Sequence, residues 1–454
     1  MIKHKHLLLT ICLFLCCIIQ PGIILHAGTI EKKITAFDRA EGDEFGCSVA
    51  ISDNFAVIGA YKDDYLPEEP TGYTEARENS GSVYVYKRNG MNWELQQKII
   101  PNDPKQWMYF GTSVAIDNDY IAVGAYQENG DERSSPQASE LTRSGAAYIY
   151  KYNGEKWIQE ARLIPDDAGP EDKFGFRVDL SGNYVIVGCN AKKPIGAAYI
   201  FKNNQGNWSQ QQMLTSENDG TFERFGYTVS ISGDYACVGA DKGVNNDINS
   251  GTVYLFKRED ERWIHEKRLF DKNGDYNDAF GRSVSISGDY IVIGAPSHDG
   301  CGKTSGMAYY SVKNETGWSE PIKISGDDGH VAGIKFGRSV SISENCAIIG
   351  ASVGNGYSEK SGSVFTFAIQ DKKLIKSKIL LANDGKASDY FGTGVAVHGK
   401  HLIIGAPGKE YPQKFGAAYI FSEIEPKYGD FNNDNFIDII DAIIVLKKLS
   451  LSDK

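Results

Sequence analysis

A Phe-Gly pair recurs seven times along the chain: Phe45-Gly46, Phe110-Gly111, Phe174-Gly175, Phe225-Gly226, Phe280-Gly281, Phe336-Gly337 and Phe391-Gly392. Successive pairs stand 65, 64, 51, 55, 56 and 55 residues apart. A second glycine follows each Phe by 14 residues, at Gly59, Gly124, Gly188, Gly239, Gly294, Gly350 and Gly405. A third opens an aromatic-rich segment at Gly81, Gly145, Gly196, Gly251, Gly306, Gly362 and Gly416. Twelve residues beyond it come Trp93, Trp157, Trp208, Trp263, Trp318 and then Leu374. Fixed internal spacings of this length mean a repeat architecture, in which each unit buries its apolar face against its neighbours.

Each unit reads as four short strands. In the fifth, Ser283–Ser287 alternates with period two, Gly288-Asp289 is a two-residue hairpin turn, and Tyr290–Ile293 is a continuous apolar run. Gly306–Tyr310 and Trp318–Ile324 complete the set. The composition agrees, with 49 Gly, 25 Tyr and 21 Phe but only 5 Met in 454 residues, a mix that suits turns and aromatic-bearing strands rather than helical bundles. Seven such units predict an all-β fold, a seven-bladed β-propeller of four-stranded antiparallel blades. The seventh unit stops after its third strand, Ala417–Phe421, while Ile30–Ile34 precedes Phe45 much as Lys378–Leu381 precedes Phe391. The N-terminal strand is therefore expected to complete the last blade and close the ring. The length prior of about 150 residues per domain is misleading here, since one ring spans 28–422.

The pattern Phe-Gly-x-Ser-Val-x-Ile-Ser, then Ile-Gly-Ala-Pro, then Gly-x-Ala-Tyr-Ile-Phe resembles the FG-GAP repeat of integrin α-subunit propellers and many secreted bacterial proteins. Gly294-Ala295-Pro296 and Gly405-Ala406-Pro407 match its second half literally. The resemblance implies a seven-bladed propeller used for adhesion or ligand binding. Integrin-type blades often carry an Asp-x-Asp-x-Asp calcium loop between the first two strands. Here a two-residue turn stands there in every unit, so those calcium sites are not expected.

Strand direction assigns the loops to faces. The second-to-third connections and the links between units share one face, and on it units one and two carry extended loops, Tyr61–Ser80 and Tyr126–Ser144. Long loops on a rigid scaffold commonly carry function. Trp107, the only tryptophan outside the repeat position, falls in Trp107-Met108-Tyr109 between these loops, with Tyr61, Tyr65, Tyr73 and Tyr126 close in sequence. These six aromatics, Tyr61, Tyr65, Tyr73, Trp107, Tyr109 and Tyr126, form the expected ligand site, rimmed by acids such as Asp63, Asp64, Glu68 and Glu128. The partner would be a glycan, through stacking, or a basic protein surface, through charge. The alternative is that the loops are solvated insertions. The repeating acids of the links between units, Asp103, Asp167 and Asp384 among them, read as turn chemistry, and the Trp series as packing on the outer strand.

At the N-terminus, Lys3 and Lys5 precede the uncharged run Leu7–Ile19 and then Leu25-His26-Ala27, the order of a secretory signal peptide over 1–27 with cleavage after Ala27. Cys47, Cys189, Cys237, Cys301 and Cys346 are scattered without CxxC pairs, as expected of small buried hydrophobes rather than a metal cluster or disulfide framework.

A polar linker, 423–428, leads to a separate module over 429–454. Asp430, Asn432, Asp434, Asp438 and Asp441 place side-chain oxygens at loop positions 1, 3, 5, 9 and 12, and Phe436 offers its backbone carbonyl at position 7. This is EF-hand ligand spacing for Ca²⁺, followed by a predicted helix over Asp441–Leu449. With Asp441 at position 12 and Ile437 at position 8, the segment resembles one repeat of a type I dockerin, which implies a cohesin-like partner. Dockerins carry two such repeats, and one is present here.

These readings together predict an exported, non-catalytic binding or adhesion protein. A docking subunit of a surface or cellulosome-like assembly is the alternative. An enzyme is the weaker reading: there is no G-x-S-x-G, no HExxH and no Asp-box, and the histidines show no ligand spacing. A formal net charge of −11 argues against non-specific nucleic-acid binding.

Overall fold

The computed structural model describes residues 29–65, 77–129, 142–217, 223–245, 247–299, 302–324 and 333–423. The segment 1–27, Tyr73, Cys301 and the tail with Asp430, Asn432, Asp434, Phe436, Asp438 and Asp441 lie outside the described residues. Lys32–Ile420 forms one compact unit. A second unit comprises Met1–Glu31 and Phe421–Lys454, and its described residues, 29–31 and 421–423, are strand ends.

Seven antiparallel four-stranded blades, six of them with their strands in sequential order, make up the propeller, and Val244–Asn245 with Ile248–Asn249 adds a small two-stranded sheet. Blade three is representative: Arg177–Ser181, Tyr184–Cys189, Ala197–Asn204 and Asn207–Leu214. In blade seven the order is Thr29–Ile34, Ala417–Glu423, His401–Ala406, Val395–His398, so the N-terminal strand supplies the missing fourth strand. The first strands of all seven blades touch in a closed circle and line the central channel. Every first-to-second connection is a two-residue turn, as in Ser287↔Tyr290 and His398↔His401.

The repeated glycines sit where blades meet. A side chain on Gly294 would strike the carbonyl oxygen of Gly337 in the next blade, and one on Gly405 that of Gly46, across the closing seam. In six of the seven units the third glycine pairs in parallel with the Phe of the next, from Gly145↔Phe174 round to Phe45↔Gly416, and a Cβ on Gly81 would meet the backbone of Phe110 in the same way. Backbone meets backbone at these seams, which leaves no room for a Cβ.

Among the described residues the core is divided rather than single. Apolar clusters fill the spaces between neighbouring blades, and the closing one joins Ile34, Phe45, Val49, Ile51, Tyr84 and Trp93 to Ile403, Ala418 and Ile420. The tryptophans staple adjacent blades: Trp157 packs on Phe55, Trp208 on Tyr120, Trp263 on Tyr184 and Trp318 on Tyr235, at centroid distances of 5.1, 5.6, 5.8 and 5.4 Å. A β-bulge in the fourth strand turns one polar side chain toward the next blade's indole. Trp157 Nε1 donates to Gln96 at 3.3 Å, Trp208 Nε1 to Glu160 at 2.9 Å and Trp263 Nε1 to Gln211 at 3.1 Å. Re-aiming a side chain is a recognised use of a bulge.

One strand departs from expectation. The fourth strand of blade five is split into Gly317–Trp318 and Ile322–Ile324. Pro321 has no N–H for the ladder, and the Ser319 hydroxyl instead accepts from Val312 N at 3.1 Å.

Candidate functional site

The described ends of the blade-one and blade-two loops lie on one face. The link entering blade two is sewn to the end of the blade-one loop: Trp107 N donates to Glu78 O at 2.8 Å, Tyr109 N to Asn79 O at 3.2 Å and Phe110 N to Ser80 O at 2.9 Å. Trp107 and Tyr109 both have left-handed backbones, φ 61° and 55°, so this short turn is held against its intrinsic preference. It leaves the Trp107 ring 45% exposed.

Four of the expected aromatics come together. Tyr109 is the hub, with ring centroids 6.3 Å from Trp107, 5.4 Å from Tyr61 and 5.7 Å from Tyr126. Tyr65 stands at the base of the blade-one loop, its backbone paired with Arg77. The track continues beyond the expected set: Tyr126 lies 5.5 Å from Phe176, and Phe176 5.2 Å from Tyr227. Tyr61 O–H donates to Glu44 Oε2 at 3.0 Å while Lys62 Nζ holds Glu44 Oε1 at 2.7 Å. Burial and the Glu44 charge push the Tyr61 hydroxyl above its ordinary pKa. Beside it, a cleft of about 330 Å³ opens between Glu44, Lys62, Asp64 and Asn79 on blade one and Gln413 and Lys414 on blade seven.

Phe176 and Tyr227 escaped the sequence reading, yet a signal was there. They are the residues after the Phe-Gly pair, whose counterparts are Cys47, Thr112, Arg282, Arg338 and Thr393. Burial raises the Cys47 thiol to about 11, so this half-buried cysteine is predominantly a thiol at neutral pH.

The acids of the links between blades do more than the expected turn chemistry, which Asp271 keeps by accepting from Asn273 N at 3.0 Å. Asp38, Asp167, Asp271 and Asp384 accept hydrogen bonds from Tyr84, Tyr199, Tyr309 and Tyr419 at 2.6, 2.7, 2.7 and 2.6 Å. In these four links a second aspartate further along supplies another turn bond. Asp43, Asp172, Asp278 and Asp389 accept from backbone N–H groups three residues earlier, at 2.6, 2.8, 2.7 and 2.7 Å. Cations complete the clusters, with Lys98 on Asp38 and Asp63, Lys192 on Asp167 and Asp172, and Lys409 on Asp384 and Asp389. In blade two Glu128 takes over, bound by Tyr148, Lys105 and Arg162. These clusters fix the bases of the loops. Among the described residues no group of three or more His, Cys, Asp or Glu is arranged to hold a metal ion.

Comparison with curated proteins finds no match. The FG-GAP repeat family matches residues 29–86, 93–150, 157–201, 208–256, 263–310, 318–367 and 376–421. Each matched segment spans a seam, running from the outer strand that precedes a Phe-Gly pair through the first three strands of the next blade. The match therefore coincides with the glycine-to-backbone contacts that build the ring, and with them the chain belongs to the FG-GAP repeat family.

Proposed function

We propose that the chain is an exported, non-catalytic binding or adhesion protein that takes a glycan or protein ligand on the loop face of blades one and two. The aromatic track that starts at the exposed Trp107 and runs through Tyr109, Tyr61 and Tyr126 carries this reading. Tyr and Trp offer rigid, amphipathic contact area at low entropic cost, the usual anchors of both sugar and protein recognition. A non-catalytic role is supported by how the face uses its carboxylates, since Asp38, Asp167, Asp271 and Asp384 are engaged by tyrosine hydroxyls. Glycan-array screening and surface-extract pull-down would identify the ligand. Trp107→Ala combined with Gly-Ser replacement of residues 66–76 is expected to weaken binding at least about tenfold, and unchanged binding would sink the reading.

A docking role through the tail is the second reading, supported by the ligand spacing of Asp430, Asn432, Asp434, Phe436, Asp438 and Asp441. In it the tail binds Ca²⁺ and presents its helix to a cohesin-like partner. Calorimetric titration of the chain with Ca²⁺ should give heat that is lost in Asp430→Ala/Asp441→Ala. The absence of heat in the unaltered chain would refute it.

A further inference from the structure

The residue after each Phe-Gly pair enters the innermost strand of its blade, so these residues ring one mouth of the central channel. On blades three to six the mouth is cationic, with Arg282 and Arg338 at this position, Arg177 one residue beyond it, and Arg224 and Lys335 just before the Phe-Gly pair. Asp241 is shared by two of them, at 3.3 Å from Arg224 and 2.9 Å from Arg282. Among the described residues no carboxylate lies within ion-pair distance of Arg177, Lys335 or Arg338. The guanidinium of Arg177 donates to the backbone oxygen of Phe176 at 2.9 Å.

The cations act on one another across blades. Burial holds Lys335 below its ordinary value and Arg338 and Arg282 lower it further. Arg338 is lowered by burial, Arg282 and Arg177, and Arg177 by burial and Arg282. Five cations with one paired carboxylate among the described residues, Asp241, make a partly desolvated site whose net field favours an anion. The aromatic track ends in this cluster: Arg177 sits 4.8 Å from the Phe176 centroid, and Arg224 and Arg282 sit 4.3 and 4.8 Å from that of Tyr227.

We propose that the channel mouth at blades three to six is a carboxylate-binding subsite for an acidic glycan, with Arg282, Lys335 and Arg338 taking the carboxylate of a uronate residue. The inference rests on the ligand face described above and names its ligand class. Tyr227 is buried beneath Arg224 and Arg282, so sugar rings would stack on the exposed Trp107 and the half-buried aromatics that follow it while the planar donors pair with carboxylate oxygens, which suits a glycan that bears charge at intervals.

Titration of the full chain with an oligouronate, its carboxyl-reduced neutral counterpart and a poly-glutamate peptide tests this. The oligouronate should bind at least tenfold more tightly than either of the others, with an affinity that falls as salt rises. Arg338→Gln and Lys335→Gln should each weaken it at least threefold and together at least tenfold, without lowering the melting temperature. Lys156→Gln, an exposed change on a distant hairpin, should do nothing. Equal binding of the reduced glycan, tighter binding of the peptide, or unchanged affinity in the double variant would overturn the proposal. Loss in Trp107→Ala with none in the double variant would sink this subsite and keep the aromatic site. Loss in the double variant with none in Trp107→Ala would do the reverse.

Discussion

Gly306→Ala is expected to destabilise the propeller by about 2–4 kcal/mol in urea unfolding, against about 1 kcal/mol for Gly288→Ala. Both glycines have left-handed backbones, φ 81° and 53°, so both substitutions carry the conformational cost. The difference is what the methyl group meets. At Gly288, in an exposed hairpin turn, nothing lies within 4 Å. At Gly306 the new Cβ would run into the backbone of Phe336 in the next blade, where the two residues pair as a parallel bridge and Phe336 N donates to Ser305 O at 3.0 Å. Backbone cannot move aside as a flexible side chain can, so the seam between blades five and six must open. Because the blades close a ring, that opening strains the other seams too. Equal losses for the two variants would show that the seams tolerate a Cβ and that the repeated glycines serve only their backbone angles.

This contrast also explains what the sequence made legible. A seam where backbone touches backbone admits one residue type, so its positions recur without change and can be counted along the chain. The tryptophans recur for a related reason, since each fills one gap against the preceding blade, and at Trp157, Trp208 and Trp263 the N–H finds a bulged side chain. The partner of Asp167 could not be read this way. Its hydroxyl donor, Tyr199, stands 32 residues away, and a carboxylate in a Gly- and Asp-rich link looks the same whether it caps its own turn or holds a distant tyrosine. The break in blade five was missed, although Pro321 carried its signal, because a missing N–H is a property of the residue itself. The candidate site divides similarly. Tyr61 and Tyr126 open the two extended loops and were found by loop length, whereas Trp107 and Tyr109 lie in the link between those loops and were found from the one tryptophan outside the repeat position. Phe176, Tyr227, Arg282 and Arg338 occupy one register position that varies from blade to blade, and the information lies in that variation around the channel rather than in what recurs.

Lys409→Met should cost about 3–5 kcal/mol, the usual consequence of removing one partner of a buried ion pair. Lys409 and Asp389 have side chains 2% and 1% exposed, with Nζ 2.7 Å from Asp389 Oδ2. The same ammonium donates to Asp384 O at 2.6 Å and lies 3.1 Å from Asp384 Oδ1. Methionine fills the volume but leaves the Asp389 carboxylate without its cation, in a link whose Lys386 N–H it also accepts. Asp389→Asn in the same chain should restore a good part of the loss, because a neutral amide needs no counter-charge and its oxygen can keep the Lys386 bond. A double variant no more stable than Lys409→Met alone would show that packing, not charge, sets the cost. The acid limb of the stability profile gives a second readout. Burial works against the Asp384 charge, but Lys33, Tyr419 and Lys409 more than offset it and hold its pKa well below the ordinary carboxylate value. A depressed folded-state pKa stabilises the protein above the unfolded value of about 4 and is lost as pH falls below it. Lys409→Met removes one of the three groups that depress it, so the variant should lose less additional stability on acidification below about pH 4 than the unaltered chain. In blade three Lys192 spans Asp167 and Asp172 in the same manner, but its side chain is 16% exposed. Water can partly replace its charge, so Lys192→Met should cost distinctly less.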